Sequence, residues 1–349
     1  MRRTSVALAL LLTALSTFAD QARDKAIHDA TVLVDQGKVD QAIGALTKLV
    51  ADDPADATAV YELGLAYAAK GDNARCRATL EPIEETKSAN RALVLGMLGN
   101  CLDQLGESEK AIAVYRRGLE TAPDDSGLLF NLAITLIQHG KADEGRELLK
   151  RDVEKNPLHK SAHLVLGQVF EGQGFNVPAT FSYLHFLAIE PASKRSGLAA
   201  EHLSKLLDNG FQKTKEGANL TFDPNARKEE GDYGAMQLMM VLSRAAATDK
   251  KLTEFELMRG QIAKVIAMLL EMSDTDQHDD FTARVQVPFF ASMKKANVTD
   301  AFAGIAISPL NLPGTEKWVK THGKEISAYY DWLQLPAVTR PAIVLPPKN

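Results

Sequence analysis

The chain has 349 residues, 45% of them hydrophobic and 24% charged, enough for two cores of ordinary size. Its formal net charge is −5, and no Lys/Arg cluster stands out, so a surface that wraps nucleic-acid phosphates is not expected. There is no His-Glu-x-x-His, Gly-x-Ser-x-Gly, Walker lysine loop or Cys-x-x-Cys, so the common signatures of hydrolases, nucleotide enzymes and thiol redox proteins are missing.

At the N-terminus, Arg2 and Arg3 precede an apolar run from Val6 to Leu15, and Thr17-Phe18-Ala19 places small residues where a signal peptidase reads. The run is too short to cross ~30 Å of hydrocarbon. It is expected to be a signal peptide of residues 1–19, and the absence of a Cys just after it argues against a lipid anchor. Subtracting its two positive charges from −5 leaves −7 on the remainder. An exported, soluble periplasmic or extracellular protein is the expectation, with no integral membrane segment after cleavage.

From there a repeat runs through half the chain. Gly37, Gly71, Gly106, Gly140 and Gly174 are spaced 34, 35, 34 and 34 residues apart, and Pro123, Pro157 and Pro191 by 34 and 34. Pro54 fits the same frame once one extra residue in the second copy is allowed. In each copy an amphipathic stretch precedes the glycine and another follows it. In the third, Leu95, Leu98, Gly99 and Leu102 mark one helix face before Gly106, with Ala111, Tyr115 and Pro123 after it. The glycine suits a turn between antiparallel helices, and the proline a stop after the second.

Over residues 23–191 the sequence resembles the tetratricopeptide repeat family. Copy two carries Val60, Leu63-Gly64, Tyr67 and Leu80 at the family's positions, and copy five Leu166-Gly167, Phe170, Ala179, Tyr183 and Pro191. Copy one departs from the pattern with Asp29-Ala30, and copy two has Cys76 for Ala and Ser88 for Pro. The resemblance implies an all-α, right-handed α-solenoid of about five helix pairs: 23–56, 57–91, 92–125, 126–159 and 160–193. The small residues Gly64, Gly99, Ala133 and Gly167 are expected to face Cys76, Ala111, Gly145 and Ala179, letting the paired helices approach. A capping helix over 194–209 follows, with Leu198, Leu203, Leu206 and Leu207 on its apolar face and Gly210 at its end.

Residues 210–228 read either as a linker or as a short hairpin between Phe211 and Phe222. A smaller helical domain is expected over 229–334. It starts with a helix around Met236, Met239 and Met240, all taken as core. Thr253 and Glu256 form a capping box for the next helix. Further helices fall at 281–295, interrupted at Pro288, then at 299–307 and 315–333. The last residues, 335–349, hold four prolines and read as an extended tail. Eight of the 22 aromatic residues lie at or after Phe281, including Trp318 and Trp332, and suit the core of this domain or an aromatic surface.

In the family the first helices line a concave wall through six positions each. Carried over, these include Tyr61, Glu62, Leu65, Met97, Asn100, Gln104, Phe130, Asn131, Ile134, Gln138, Leu164, Val165 and Gln168. Six positions in each of five repeats make 30, and none is Lys or Arg, so the basic clamp with which some family members hold a peptide carboxylate is not expected. An uncharged or mildly basic peptide or an amphipathic helix is the expected partner, with Phe130 as anchor and Asn100 and Asn131 holding its backbone. This makes a scaffold or adaptor of the cell envelope the leading reading. Two others remain: an enzyme with its site in residues 229–334, using His278, Asp279, Asp280 or His322, and a carrier of apolar ligands there.

Cys76 and Cys101 fall on successive helices and could form a disulfide, or stay as two buried thiols. Asp274, Asp276, His278, Asp279 and Asp280 lack the glycine of a calcium loop and have Val285 where its last ligand would stand, so they are read as a solvated loop. Neither a metal nor a cofactor is expected.

Overall fold

The computed structural model describes residues 20–85, 91–215, 217–221, 228–246, 252–275 and 279–333. The expected signal peptide and the whole terminal tail, 335–349, lie outside these. The fold is all-α apart from one small hairpin. Two compact units meet between Leu148 and Leu149, within a helix.

The first unit is a run of paired helices: α1 (residues 20–35), α2 (Val39–Asp52), α3 (Ala57–Ala69), α4 (Asn73–Leu80), α5 (Arg91–Gln104), α6 (Ser108–Thr121), α7 (Ser126–Gln138) and the start of α8 (Ala142–Lys155). Aspartates open several of them. Asp56 accepts from the backbone N–H of Thr58 and Ala59, Asp72 from Arg75 and Asp125 from Leu128, which satisfies donors that a helix start leaves unpaired. The periodic glycines close the first helix of each pair. Gly37, Gly71, Gly106, Gly140 and Gly174 have φ from 74 to 80°, a region closed to most side chains. Beyond each, a backbone N–H reaches five residues back, as Glu107 does to Leu102 and Lys141 to Leu136, both at 2.9 Å.

Within a pair, the small residue of the first helix leaves room chiefly for the bulky side chain of the second. A Cβ on Gly99 would come within 2.3 Å of the Tyr115 ring, and one on Gly64 within 2.8 Å of Leu80. These partners lie one helical turn beyond the expected Cys76 and Ala111. Gly145 does face Ala133 as expected: a Cβ on it would come within 2.8 Å of the Ala133 carbonyl oxygen and 2.5 Å of Ile137. Leu95, Leu98, Leu102, Ile112, Tyr115, Leu128 and Leu132 then build a continuous core between repeats.

The second unit holds the rest of α8, then α9 (Lys160–Gly172), α10 (Asn176–Ile189), α11 (Lys194–Asp208), β1 (Phe211–Lys213), β2 (Ala218–Leu220), α12 (Gly234–Ala246), α13 (Glu254–Thr275), α14 (Val287–Lys295), α15 (Thr299–Ile307), α16 (Thr315–Thr321) and α17 (Gly323–Trp332). Residues 210–228 contain the hairpin: Phe211, Gln212 and Lys213 pair antiparallel with Leu220, Asn219 and Ala218. Thr253 and Glu256 form the expected capping box, with the Thr253 N–H donating to Glu256 Oε2 at 2.7 Å.

The later helices pack onto the fifth repeat rather than standing apart. All twelve residues from Val177 to Ala188 of α10 are buried. Helix α10 lies against α9, α11, α12, α15 and the turn before α14. Tyr329 donates its hydroxyl to the Ala188 carbonyl at 2.5 Å, and Phe181 meets Phe290 edge-on at 5.5 Å. On α8, Lys150 pairs with Glu230 at 3.0 Å and Glu154 with Arg284 at 2.8 Å.

Helix α11 follows the fifth repeat over the expected residues, and α12 and α15 pack on it in turn. Three sequence expectations need correction. Leu198 is 60% exposed, while Ala199 and Ala200 are buried; small residues let a neighbouring helix come closer on that side. Met239 is half exposed, whereas Met236 and Met240 are buried. The helix expected over 315–333 breaks at His322 (φ −114°, ψ 29°) and Gly323. Pro288 produces a widened π turn over Thr282–Gln286 before α14, since its missing N–H cannot continue the helical ladder.

That π turn faces a buried stack of rings. His163 and His185 lie 3.8 Å apart between centroids, and His185 lies 3.8 Å from Phe289. His163 Nε2–H donates to the Pro157 carbonyl and His185 Nδ1–H to Gln286 Oε1, which fixes each tautomer because those oxygens only accept. The other ring nitrogens, His163 Nδ1 and His185 Nε2, are buried without a partner. Burial pushes His185 down to about 4, against the Gln286 hydrogen bond, and pushes His163 well below its ordinary range.

Both rings would titrate near ~6.5 in the unfolded chain. Stability is therefore full above that pH and is lost as pH falls toward 4, since the unfolded state takes up protons that the folded state refuses. Urea unfolding should show a loss of about 2 kcal/mol from His185 between pH 7 and pH 5. His185→Phe keeps a stacked ring without the titrating nitrogens and should shrink that loss; equal losses in the two proteins would refute the assignment. A second variant, Gly99→Ala, should destabilise by about 1–3 kcal/mol through overpacking against Tyr115, measured in the same way.

Candidate functional site

Helices α3, α5 and α7 lie side by side in the first unit, each packed against the next. Their buried faces carry Leu63, Leu98 and Leu132; the residues between these turn outward. Tyr61, Leu65, Met97, Asn100, Phe130, Asn131 and Ile134 are half-buried, and Gln104 and Gln138 are exposed. Leu164 and Gln168 occupy the corresponding face of α9 in the second unit, half-buried and exposed respectively. The later helices cover α10 and leave those two positions accessible.

The structure joins two of the expected wall residues directly. Asn131 Nδ2 donates to Asn100 Oδ1 at 2.9 Å, and the Tyr115 hydroxyl donates to the same oxygen at 2.7 Å. Both lone pairs of Asn100 Oδ1 are then used. No further hydrogen bond reaches Asn100 Nδ2 or Asn131 Oδ1 among the described residues, so the pair presents one donor group and one acceptor, the two functions of a peptide unit. The Thr135 hydroxyl bonds the Asn131 carbonyl at 3.0 Å. Burial pushes the Tyr115 hydroxyl far up, so it stays a proton donor to Asn100.

Tyr115 did not enter the sequence-derived wall, because it belongs to a second helix. Its signal was the aromatic at that position of the repeat. Tyr183 repeats the arrangement in the fifth copy, donating to Glu171 Oε2 at 2.7 Å; His202 Nδ1 lies 2.8 Å from the same oxygen.

Glu62 differs from its neighbours. It is half-buried on α3, and among the described residues no hydrogen bond or ion pair reaches it. Burial raises its carboxyl above the ordinary range. Tyr61 beside it is likewise pushed up, by burial first and by the Glu62 charge second.

Cys76 on α4 and Cys101 on α5 form a disulfide with a Cα–Cα distance of 6.2 Å. Both are fully buried, and the bond ties the second repeat to the third. It stands where the second copy replaces the usual Ala with Cys and lacks the closing Pro.

The residues suggested for chemistry in the C-terminal half are engaged structurally. Asp280 accepts from the Tyr233 hydroxyl at 2.8 Å and from the Ala283 N–H at 3.0 Å, so it caps a helix start. Asp279 is exposed beside Arg284, and His322 stacks on Trp318. Asp276 and His278 lie outside the described residues, as does the side chain of Asp274. The aromatic residues pack on one another: Trp318 on Phe255, Phe302 on Phe290 and Tyr329, and the half-buried Trp332 on Phe289. No helix among the described residues is long and apolar enough to cross a membrane.

Comparison with known proteins bears on the repeats. Residues 29–80 match one sequence model described as a tetratricopeptide repeat, and residues 104–169 match another. The BBSome complex member bbs-4 of Caenorhabditis elegans is 25% identical over 100 residues, covering 27% of this chain and 22% of that protein. Tetratricopeptide repeat protein 7A of Homo sapiens is 29% identical over 100 residues, covering 29% of this chain and 12% of its own. The chain thus spans less than a quarter of the length of these relatives. A solved structure of Pseudomonas aeruginosa pilF superposes with a TM-score of 0.50 at 23% identity, over 54% of this chain and 86% of that one, a likeness of fold.

Removing the disulfide through Cys76→Ala/Cys101→Ala should cost about 3 kcal/mol, the chain-entropy value for a closed loop of this size. Thermal melts followed by circular dichroism would show it, and an unchanged midpoint would mean that the bond contributes nothing to the junction of repeats two and three.

Proposed function

This chain belongs to the tetratricopeptide repeat family, and from that premise we propose that it is an adaptor of the cell envelope whose concave wall holds an extended peptide or an amphipathic helix of a partner. Tetratricopeptide repeats are generally non-catalytic scaffolds for protein–protein interaction. The observation that carries the finer reading is the paired amides of Asn100 and Asn131, fixed by Tyr115 with one donor and one acceptor left over. A side-chain amide pair of this kind can bond a partner's backbone whatever its sequence, and Phe130 adjoins it as an apolar anchor. The wall also lacks Lys and Arg at its lining positions, which argues for a segment that is uncharged or mildly basic.

Export is supported by two features. The first 19 residues have the charge and apolar pattern of a signal peptide, and a buried disulfide is at home in an oxidising compartment. The mature protein would begin at Asp20, which N-terminal sequencing of the exported chain can check.

The groove assignment is tested with Phe130→Ala/Asn131→Ala. In a pulldown from periplasmic extract, the double variant should lose at least one partner that the wild type retains while melting within a few degrees of it. Retention of every partner by a folded variant would remove the groove from the binding surface.

A further inference from the structure

The pairing of Asn131 with Asn100 sets a register for the whole wall. Asn131 is the sixth residue of its repeat and Asn100 the ninth of the repeat before. By equivalence of the repeats, Met97, sixth in the third repeat, corresponds to Asn131, and Leu65, ninth in the second, to Asn100. Within one helix the sixth and ninth residues are neighbours, three apart. Glu62, Leu65, Met97, Asn100 and Asn131 therefore follow one another as a single stripe across α3, α5 and α7. It opens with a carboxylate, continues over two apolar side chains and ends on the amide pair.

We propose that the segment held in this groove carries one lysine or arginine, whose cationic head is received by Glu62 while its neighbouring apolar residues lie over Leu65 and Met97. The proposal rests on the peptide-groove reading above and names its charge specificity. Three observations support it. Glu62 is half-buried and has no partner among the described residues, an arrangement that carries a desolvation cost until an opposite charge arrives. Burial already raises its carboxyl, and no cation among the described residues opposes the shift. The remaining charges of the wall have the same sign: Asp24, Asp35 and Asp103 occupy lining positions in the first four repeats, and no Lys or Arg does. Of these, Asp103 is engaged with the Ser108 hydroxyl at 2.9 Å, which leaves Glu62 as the half-buried acceptor adjoining the apolar part of the stripe.

The geometry also sets a distance. Neighbouring helices pack about 9 Å apart, so Glu62 and Asn131 are separated by two such steps, about 18 Å. An extended chain advances ~3.3 Å per residue, which places the cationic residue five or six positions from the one held by the asparagines.

The test is selection from a random dodecapeptide phage library on the full-length mature protein, run in parallel on wild type, Glu62→Gln, Glu62→Lys and Phe130→Ala/Asn131→Ala, each checked by melting. Lys and Arg should be enriched about fivefold at one position of the wild-type pool, the ratio expected from one charge-assisted contact of ~1 kcal/mol. That enrichment should vanish with Glu62→Gln and give way to Asp or Glu with Glu62→Lys. Glu62→Gln is nearly isosteric and removes a charge that has no partner among the described residues, so it should remain folded. Equal Lys/Arg frequencies in the wild-type and Glu62→Gln pools, or a wild-type pool with no enriched sequence, overturn the proposal. If Phe130→Ala/Asn131→Ala selects the same peptides as wild type, the groove reading falls with it. If that variant loses them while Glu62→Gln keeps them unchanged, only the charge assignment falls.

Discussion

A tyrosine ring lying on a glycine holds the centre of the first unit together. At Gly99 there is no room for even one extra carbon against Tyr115, so α5 and α6 approach as closely as backbones allow. That closeness has two results. The ring is buried among the leucines that join the second, third and fourth repeats, and its hydroxyl passes through to the other side of α5. There it turns Asn100 so that its oxygen accepts from Asn131. A packing contact on one side of a helix thus sets the polar chemistry on the other. The polar face of this wall is an outcome of the core and has no separate framework.

The second unit solves a different problem. Helix α10 is buried on all sides and carries too many apolar residues to serve as the outer helix of an open stack. The structure wraps it with α11, α12, α15 and the π turn, and tucks a pair of neutral histidines among the aromatic rings. Their cost is electrostatic: each imidazole uses one nitrogen for a hydrogen bond and leaves the other dry. This suits a protein kept near neutral pH and penalises one exposed to acid.

Much of this was legible before any coordinates. The 34-residue period, the turn glycines, the Thr253–Glu256 capping box and the small residues inside each helix pair each encode a local decision, and local decisions survive translation into sequence patterns. What could not be read was two-sided. Leu198 looks like core by periodicity, but the neighbouring helices chose the alanines beside it. Met239 belongs to the same apolar stretch as Met236 and Met240, yet it faces outward. Nothing in the pattern of α10 says what covers it, because a helix this rich in apolar residues matches many partners. In the wall, the lining positions followed from the repeat, but the coupling of Asn100 to Asn131 did not. It depends on Tyr115, which sits on a different helix and enters through the protein's interior. The isolation of Glu62 was hidden as well, because a missing partner has no sequence signature.

The enclosure of α10 bears on how such a chain can evolve. The third and fourth copies meet through side-chain packing alone, without the covalent tie of the second and third, so a unit gained or lost there leaves similar surfaces to rejoin. The fifth copy has no such freedom. Its outer helix has exchanged a water-facing side for a fitted apolar sleeve made by residues far downstream, and a gene truncated after that copy would encode a bare greasy rod. Growth and shortening of the array are therefore open at the front and closed at the back, and the C-terminal helices are inherited with the last repeat as one piece.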